Sequence, residues 1–147
     1  MPVVELPAVM FTSKSVLETQ EFGRQFAARC HGGSVIALQG DLGTGKTQFV
    51  KGLALGLNYN GDVTSPTFAL LHEYEGGRLP IYHFDWYRME DATEVDRLDI
   101  DEYFQGDGVC VVEWADRFRH SIPKIATWLL FRETSPDERQ IEVHSPQ

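Results

Sequence analysis

The stretch SVIALQGDLGTGKTQFVKGLALGL, residues 34–57, decides the fold. Its first six residues, Ser34 to Gln39, form an apolar run of strand length. Gly40, Gly43 and Gly45 then break the run into a tight turn that ends in Lys46 and Thr47. From residue 46 to residue 57 the apolar residues take up helical spacing, so Phe49, Val50, Leu53, Ala54 and Leu57 share one face. The turn itself matches G-x-x-x-x-G-K-[ST] in full. That spacing is a phosphate cradle: glycines let several backbone N–H groups converge on one point, and the following helix adds the positive end of its dipole. Lys46 then supplies a point charge between the β- and γ-phosphates, and the Thr47 hydroxyl supplies one ligand to Mg2+. The competing reading is a glycine-rich turn with an incidental lysine. A strand on one side and an amphipathic helix on the other argue against it.

Working outward, residues 3–11 read as a short strand interrupted by Pro7, which suits a sheet edge. A helix follows. Ser15 and Glu18 have capping-box spacing, with Thr12 and Ser13 as competing caps. Val16, Gly23, Phe26, Ala27 and Cys30 fall on one face of it, and Gly32-Gly33 ends the element. Beyond the phosphate loop and its helix, residues 67–74 and 79–85 read as strands joined at Gly76-Gly77. Residues 90–104 carry helical spacing and the acidic run Glu90, Asp91, Glu94, Asp96, Asp99, Asp101 and Glu102. That run is read either as a solvated face or as a docking surface for a basic partner. Residues 109–113, VCVVE, form an apolar strand ending in an acid, and strands near 126–133 and 139–144 flank a turn at 135–137. These elements predict one α/β domain, 1–147, of the P-loop NTPase type: a mixed parallel and antiparallel sheet flanked by helices.

Composition narrows the class further. Among 147 residues there are 22 acidic and 13 basic side chains, giving a net charge of −9. That balance disfavours a protein that grips nucleic acid unaided, because phosphate contacts need clustered lysine and arginine. It is no objection to a nucleotide, which local N–H groups and one lysine hold. Cys30 and Cys110 are the only cysteines, too few for a disulfide framework or a cysteine zinc site. The start lacks a basic segment followed by a long apolar stretch, and no apolar run approaches the ~20 residues of a membrane span. The expectation is a soluble cytoplasmic protein.

A P-loop protein needs an acid at the end of another strand to hold the metal or its waters. Two strands end that way, at Glu113 and at Asp85. The division of labour expected is Glu113 on Mg2+, with Asp85 orienting water. Thr64-Ser65-Pro66-Thr67 lies where nucleotide switches present a hydroxyl to the metal or γ-phosphate, although the same residues also make an ordinary strand entry. His83, two residues before Asp85, is placed to pair with an acid, but inside an apolar strand it reads as a core residue in preference to a catalytic one. Trp114 either stacks on a ligand or covers the core.

Four elements taken together, GDLGTGKT (40–47), SPTF (65–68), HFDWYR (83–88) and VEW (112–114), resemble the TsaE family, also called YjeE. The resemblance runs from the first helix to the last strand. It implies a small bacterial Mg2+-dependent ATPase, slow alone, that acts in forming threonylcarbamoyladenosine in tRNA. It also implies two protein partners, TsaD and TsaB, with TsaD transferring the threonylcarbamoyl group and ATP hydrolysis resetting or activating their complex. Any tRNA contact is then indirect, and the isolated chain is expected to be a monomer. By matched position, Gly40, Leu42, Gly43, Thr44, Gly45, Lys46 and Thr47 line the phosphates of ATP, with Thr47 and Glu113 on Mg2+. Ser65 and Thr67 sit in a switch-like loop, Asp85 serves hydrolysis, and Trp114 lies beside the nucleotide or a partner. Arg139, in a segment where the family often carries arginine, touches the adenine end. Asp116 departs from the family, which more often has a longer acid or another polar residue there.

Two rivals remain on the sequence. A small-molecule kinase shares the loop, but it needs a lid of arginines, and the arginines here are scattered. An ATP-gated binding module with negligible turnover is the other. A GTPase is disfavoured, since no [NT]-K-x-D motif occurs. Arg88 is the best internal candidate for an arginine that speeds hydrolysis, unless a partner supplies one.

Overall fold

The computed structural model describes residues 9–64 and 70–146. Along them run β1 (Val9–Ser13), α1 (Val16–Phe26), β2 (Val35–Gln39), α2 (Lys46–Gly56), β3 (Leu71–Tyr74), β4 (Ile81–Asp85), α3 (Ala92–Asp96), α4 (Ile100–Phe104), β5 (Val109–Glu113), β6 (Thr127–Ser135) and β7 (Glu138–His144). The strands make one sheet in the order β1-β7-β6-β2-β5-β4-β3. Its middle is parallel, β2 pairing with β5 on one side and β6 on the other, and β5 with β4. Its flanks are antiparallel, β1 and β6 both pairing with β7, and β3 with β4. The mixed sheet with flanking helices is the architecture the sequence predicts.

β2 and β5 are buried along nearly their whole length, as strands covered on both faces must be. On one face, α1 and α2 cover Ile36, Leu38, Val109 and Val111 with Phe26, Phe49, Val50 and Leu53. On the other, Ala37, Cys110 and Val112 pack against Phe84, Trp86, Val95, Ile100 and Phe104. Each fully buried Leu or Phe contributes about 1.5–3 kcal/mol. Both cysteines are buried free thiols, and burial pushes them up, Cys30 to about 11 and Cys110 to about 12. No described helix is long and apolar enough to cross a membrane.

The two helices on the first face meet backbone to backbone. A Cβ placed on Gly52 would lie 1.8 Å from the Gln20 carbonyl oxygen, and one on Gly23 would lie 2.3 Å from that of Phe49. Only glycine fits at this seam, which holds α2, and so the phosphate loop, against the sheet.

Several elements differ from expectation. The described part of the first strand runs on to Ser13, two residues past its expected end, and residues 3–8 lie outside the described residues. Ser15 does cap α1, accepting from Glu18 N at 3.0 Å, while Ser13 bonds instead to Ser15 O and Thr19. Val16 is not in the core but 56% exposed. Its turn lies at the mouth of a cleft, and the buried face of α1 begins at Thr19. The helix stops at Phe26, before Gly32-Gly33, in a short 3-10 turn closed by Cys30 N to Ala27 O. The acidic stretch forms two short helices rather than one, because Asp99 takes a left-handed conformation (φ 51°, ψ 40°) between them. Of the strand expected at 67–74, residues 71–74 are seen, and 67–69 lie outside the described residues.

Candidate functional site

In an open parallel sheet, ligands bind beyond the carboxyl ends of the strands, where the connections part to either side. β2 is such a point, with β5 and β6 on its two flanks. The loop Gly40–Gly45 leaves its end and turns into α2 at an open cleft of about 810 Å³. That is a ligand-sized volume.

The loop is shaped by left-handed backbone at Gly43 (φ 77°) and Gly45 (φ 102°), conformations costly for any residue with a Cβ. Gly45 is the N-cap residue of α2, and its carbonyl accepts from Phe49 N at 2.9 Å. Thr44 is buried and its hydroxyl donates to Asp41 O at 2.7 Å. Arg139, from β7, reaches over to Gly43 O at 3.2 Å and so braces the loop from outside. Leu42 stands exposed at the rim.

Lys46 is 5% exposed, and its ammonium donates to the carbonyls of Gly40 and Asp41 at the start of the loop. These bonds fold the side chain back along the loop. The Trp114 ring lies over the same ammonium, its centroid 3.7 Å from Nζ. Burial draws the Lys46 ammonium below its ordinary value, and the carboxylates of Glu113, Asp85, Asp116 and Asp41 oppose that shift. Trp114 itself is held in a left-handed conformation (φ 59°) just beyond β5, and Tyr87 packs on its ring at 4.8 Å.

Both predicted acids are at the cleft. Asp85 and Glu113 are register partners at the ends of β4 and β5, each 3% exposed. Thr47 Oγ1 donates to the Glu113 carboxylate, 3.2 and 3.3 Å from its two oxygens. Asp85 Oδ1 accepts from Tyr87 N at 2.8 Å, which aims the carboxylate and tightens the turn after β4. Two buried carboxylates beside one hydroxyl form a hard-oxygen donor set that suits Mg2+, which takes one or two carboxylates and leaves its remaining positions to phosphate and water. The residues therefore fit the ion.

Ser65 and Thr67 lie outside the described residues. Arg88 lines the cleft together with Asp85, as do Lys14, Val16, Pro136 and Asp137. The sequence places His83 in the core, and it is indeed fully buried, but its ring bonds to Glu113, with Nε2 2.5 Å from Oε2. The sequence offers His83 an acid as partner but does not say which one. His83 sits two residues before Asp85 on the same face of β4, and only the β4–β5 register brings it to Glu113.

Comparison with known proteins points the same way. The family model for "Threonylcarbamoyl adenosine biosynthesis protein TsaE" matches residues 13–141. A tRNA threonylcarbamoyladenosine biosynthesis protein TsaE from Bacillus subtilis (strain 168) is 46% identical over 124 residues, 84% of this chain and 77% of that protein. Its counterpart from Treponema pallidum (strain Nichols) is 40% identical over 131 residues, 89% of this chain and 96% of that protein. The crystal structure of YdiB from Bacillus subtilis superposes with a TM-score of 0.84 at 34% identity, covering 99% of this chain and 90% of that one.

Proposed function

The chain belongs to the TsaE family, a family of tRNA threonylcarbamoyladenosine biosynthesis proteins, and from that premise we propose that it is a Mg2+-dependent ATPase whose turnover serves this tRNA modification. The observation that carries the reading is the junction of Thr47 with Glu113, 3.2 Å apart, beside the buried ammonium of Lys46. A phosphate loop, a metal hydroxyl and a strand-end carboxylate meet there at one point.

Backbone N–H groups of Gly43 to Thr47 bind the phosphates, aided by the N-terminal dipole of α2. Lys46 neutralises charge on the outer phosphates. Magnesium, when bound, supplies positive charge that offsets what develops on the phosphoryl oxygens. Thr47 and Glu113 hold that ion, and Asp85 orients the attacking water. Because charge spreads over the phosphoryl oxygens at the transition state, positioned charge and dipoles are the main catalytic means available. Trp114 covers the site from the β5 side.

The partners proposed are TsaD and TsaB, and hydrolysis resets or activates their complex. On this reading turnover is slow in isolation because a partner completes the site, for instance with an arginine. The net charge of −9 favours reaching tRNA through those partners.

Calorimetric titration with ATP tests the site itself. Parental protein binds ATP, and Lys46→Ala loses that binding because backbone groups alone match the phosphate charge poorly. Equal affinity in the two proteins contradicts the assignment.

A further inference from the structure

Glu113 is held from behind by a line of buried polar groups that the reaction does not by itself require. Its Oε2 meets His83 Nε2 at 2.5 Å, with a proton between them, and the other ring nitrogen, Nδ1, lies 2.9 Å from the Tyr74 hydroxyl. Tyr74 donates in turn to the backbone carbonyl of Thr64 at 3.0 Å. The same carbonyl lies 3.2 Å from His72 Nδ1, so two side chains of β3 converge on it. His83, Tyr74 and Glu113 are 0%, 4% and 3% exposed. Burial also pushes the Tyr74 phenol up to about 12, so it keeps its proton at any physiological pH.

A core that needed only to be filled would use apolar side chains at positions 74 and 83. Burying polar groups is costly unless every one is partnered, and here every one is. The line also joins two particular places. One end is the carboxylate bonded to Thr47, and the other is the residue that leads into Ser65-Pro66-Thr67.

We infer that Tyr74 and His83 are positioning residues that aim the Glu113 carboxylate at the magnesium site and tie its orientation to the position of the chain at Thr64. The inference rests on Glu113 as the magnesium carboxylate proposed above. His83 acts by fixing which way Glu113 faces, as outer groups do for metal ligands generally. Tyr74 fixes the ring and carries any displacement of Thr64 to it.

The test is calorimetric binding of a non-hydrolysable ATP analogue to the full chain, with and without Mg2+. In the parental protein Mg2+ tightens binding. Tyr74→Phe keeps the ring and its packing, and His83→Leu keeps the volume. Both are expected to leave the Mg2+-free affinity unchanged and to reduce the Mg2+-dependent gain by about 10-fold or more. His83→Gln restores a donor facing Glu113, so it recovers much of what His83→Leu loses. Hydrogen exchange across residues 60–64 responds to Mg2+ and analogue in the parent, and that response disappears in Tyr74→Phe. A parental gain left intact in Tyr74→Phe and His83→Leu overturns the inference. So does a fall in Mg2+-free affinity that matches the fall with Mg2+, or an exchange response that survives in Tyr74→Phe. A parental protein whose affinity ignores Mg2+ overturns the reading of Glu113 itself, and the inference with it.

Discussion

At the scale of single residues, the chemistry turns on Glu113 and Asp85, which end neighbouring parallel strands and share one register pair. Glu113 already touches the P-loop threonine, whereas Asp85 is aimed by the backbone N–H of Tyr87. Their proposed roles therefore separate in kinetics. Glu113→Gln and Asp85→Asn preserve shape and remove charge. Each is expected to keep Mg2+-free ATP binding but to lower kcat by about 10- to 1,000-fold, the range seen when one preorganised electrostatic group is lost. Steady-state hydrolysis with saturating ATP checks this, and parental rates in both variants contradict the assignment. Gly45 illustrates a different constraint. Its φ of 102° is left-handed, so Gly45→Ala strains the turn that opens α2 and lowers nucleotide affinity, which the same titration reads.

At the scale of elements, the strand, loop and helix around residues 34–57 were readable because each carries an unambiguous period and the glycines punctuate them. The buried face of α2 is the predicted one: Phe49, Val50, Leu53, Ala54 and Leu57 are all 0–1% exposed. Where the reading failed, the cause lies outside local pattern. Val16 has the right spacing for a core residue, but its turn faces the cleft instead of the sheet. Residues 90–104 have continuous helical spacing, yet the chain breaks at Asp99, whose left-handed conformation no periodicity reveals. The α1–α2 seam carries its own prediction. Gly52→Ala sets a methyl group against the Gln20 carbonyl, and the helices must part to admit it. A destabilisation of about 1–3 kcal/mol is expected, seen as a Tm lowered by several degrees. Affinity for ATP falls with it, because α2 carries the phosphate loop. An unchanged Tm contradicts the tight packing of the seam.

At the scale of the whole molecule, the mixed sheet puts every proposed catalytic group at one edge. β2, β4 and β5 run parallel, so their carboxyl ends deliver the phosphate loop, Asp85 and Glu113 side by side. The sequence named those residues individually from strand-end position and motif. It did not reveal the pairing of β5 between β2 and β4, which is a tertiary choice among strands of similar composition. Which acid His83 meets follows from that pairing and was hidden for the same reason. The central claim is that this site is an ATPase coupled to partner proteins, and its most direct test is ATP hydrolysis by the purified chain with Mg2+, alone and with TsaB and TsaD added. The account expects slow turnover alone that rises when the pair is present and falls about 10- to 1,000-fold in Glu113→Gln. Turnover indifferent to the pair, appearing instead on addition of a small phosphoryl acceptor, contradicts it and makes the chain a kinase.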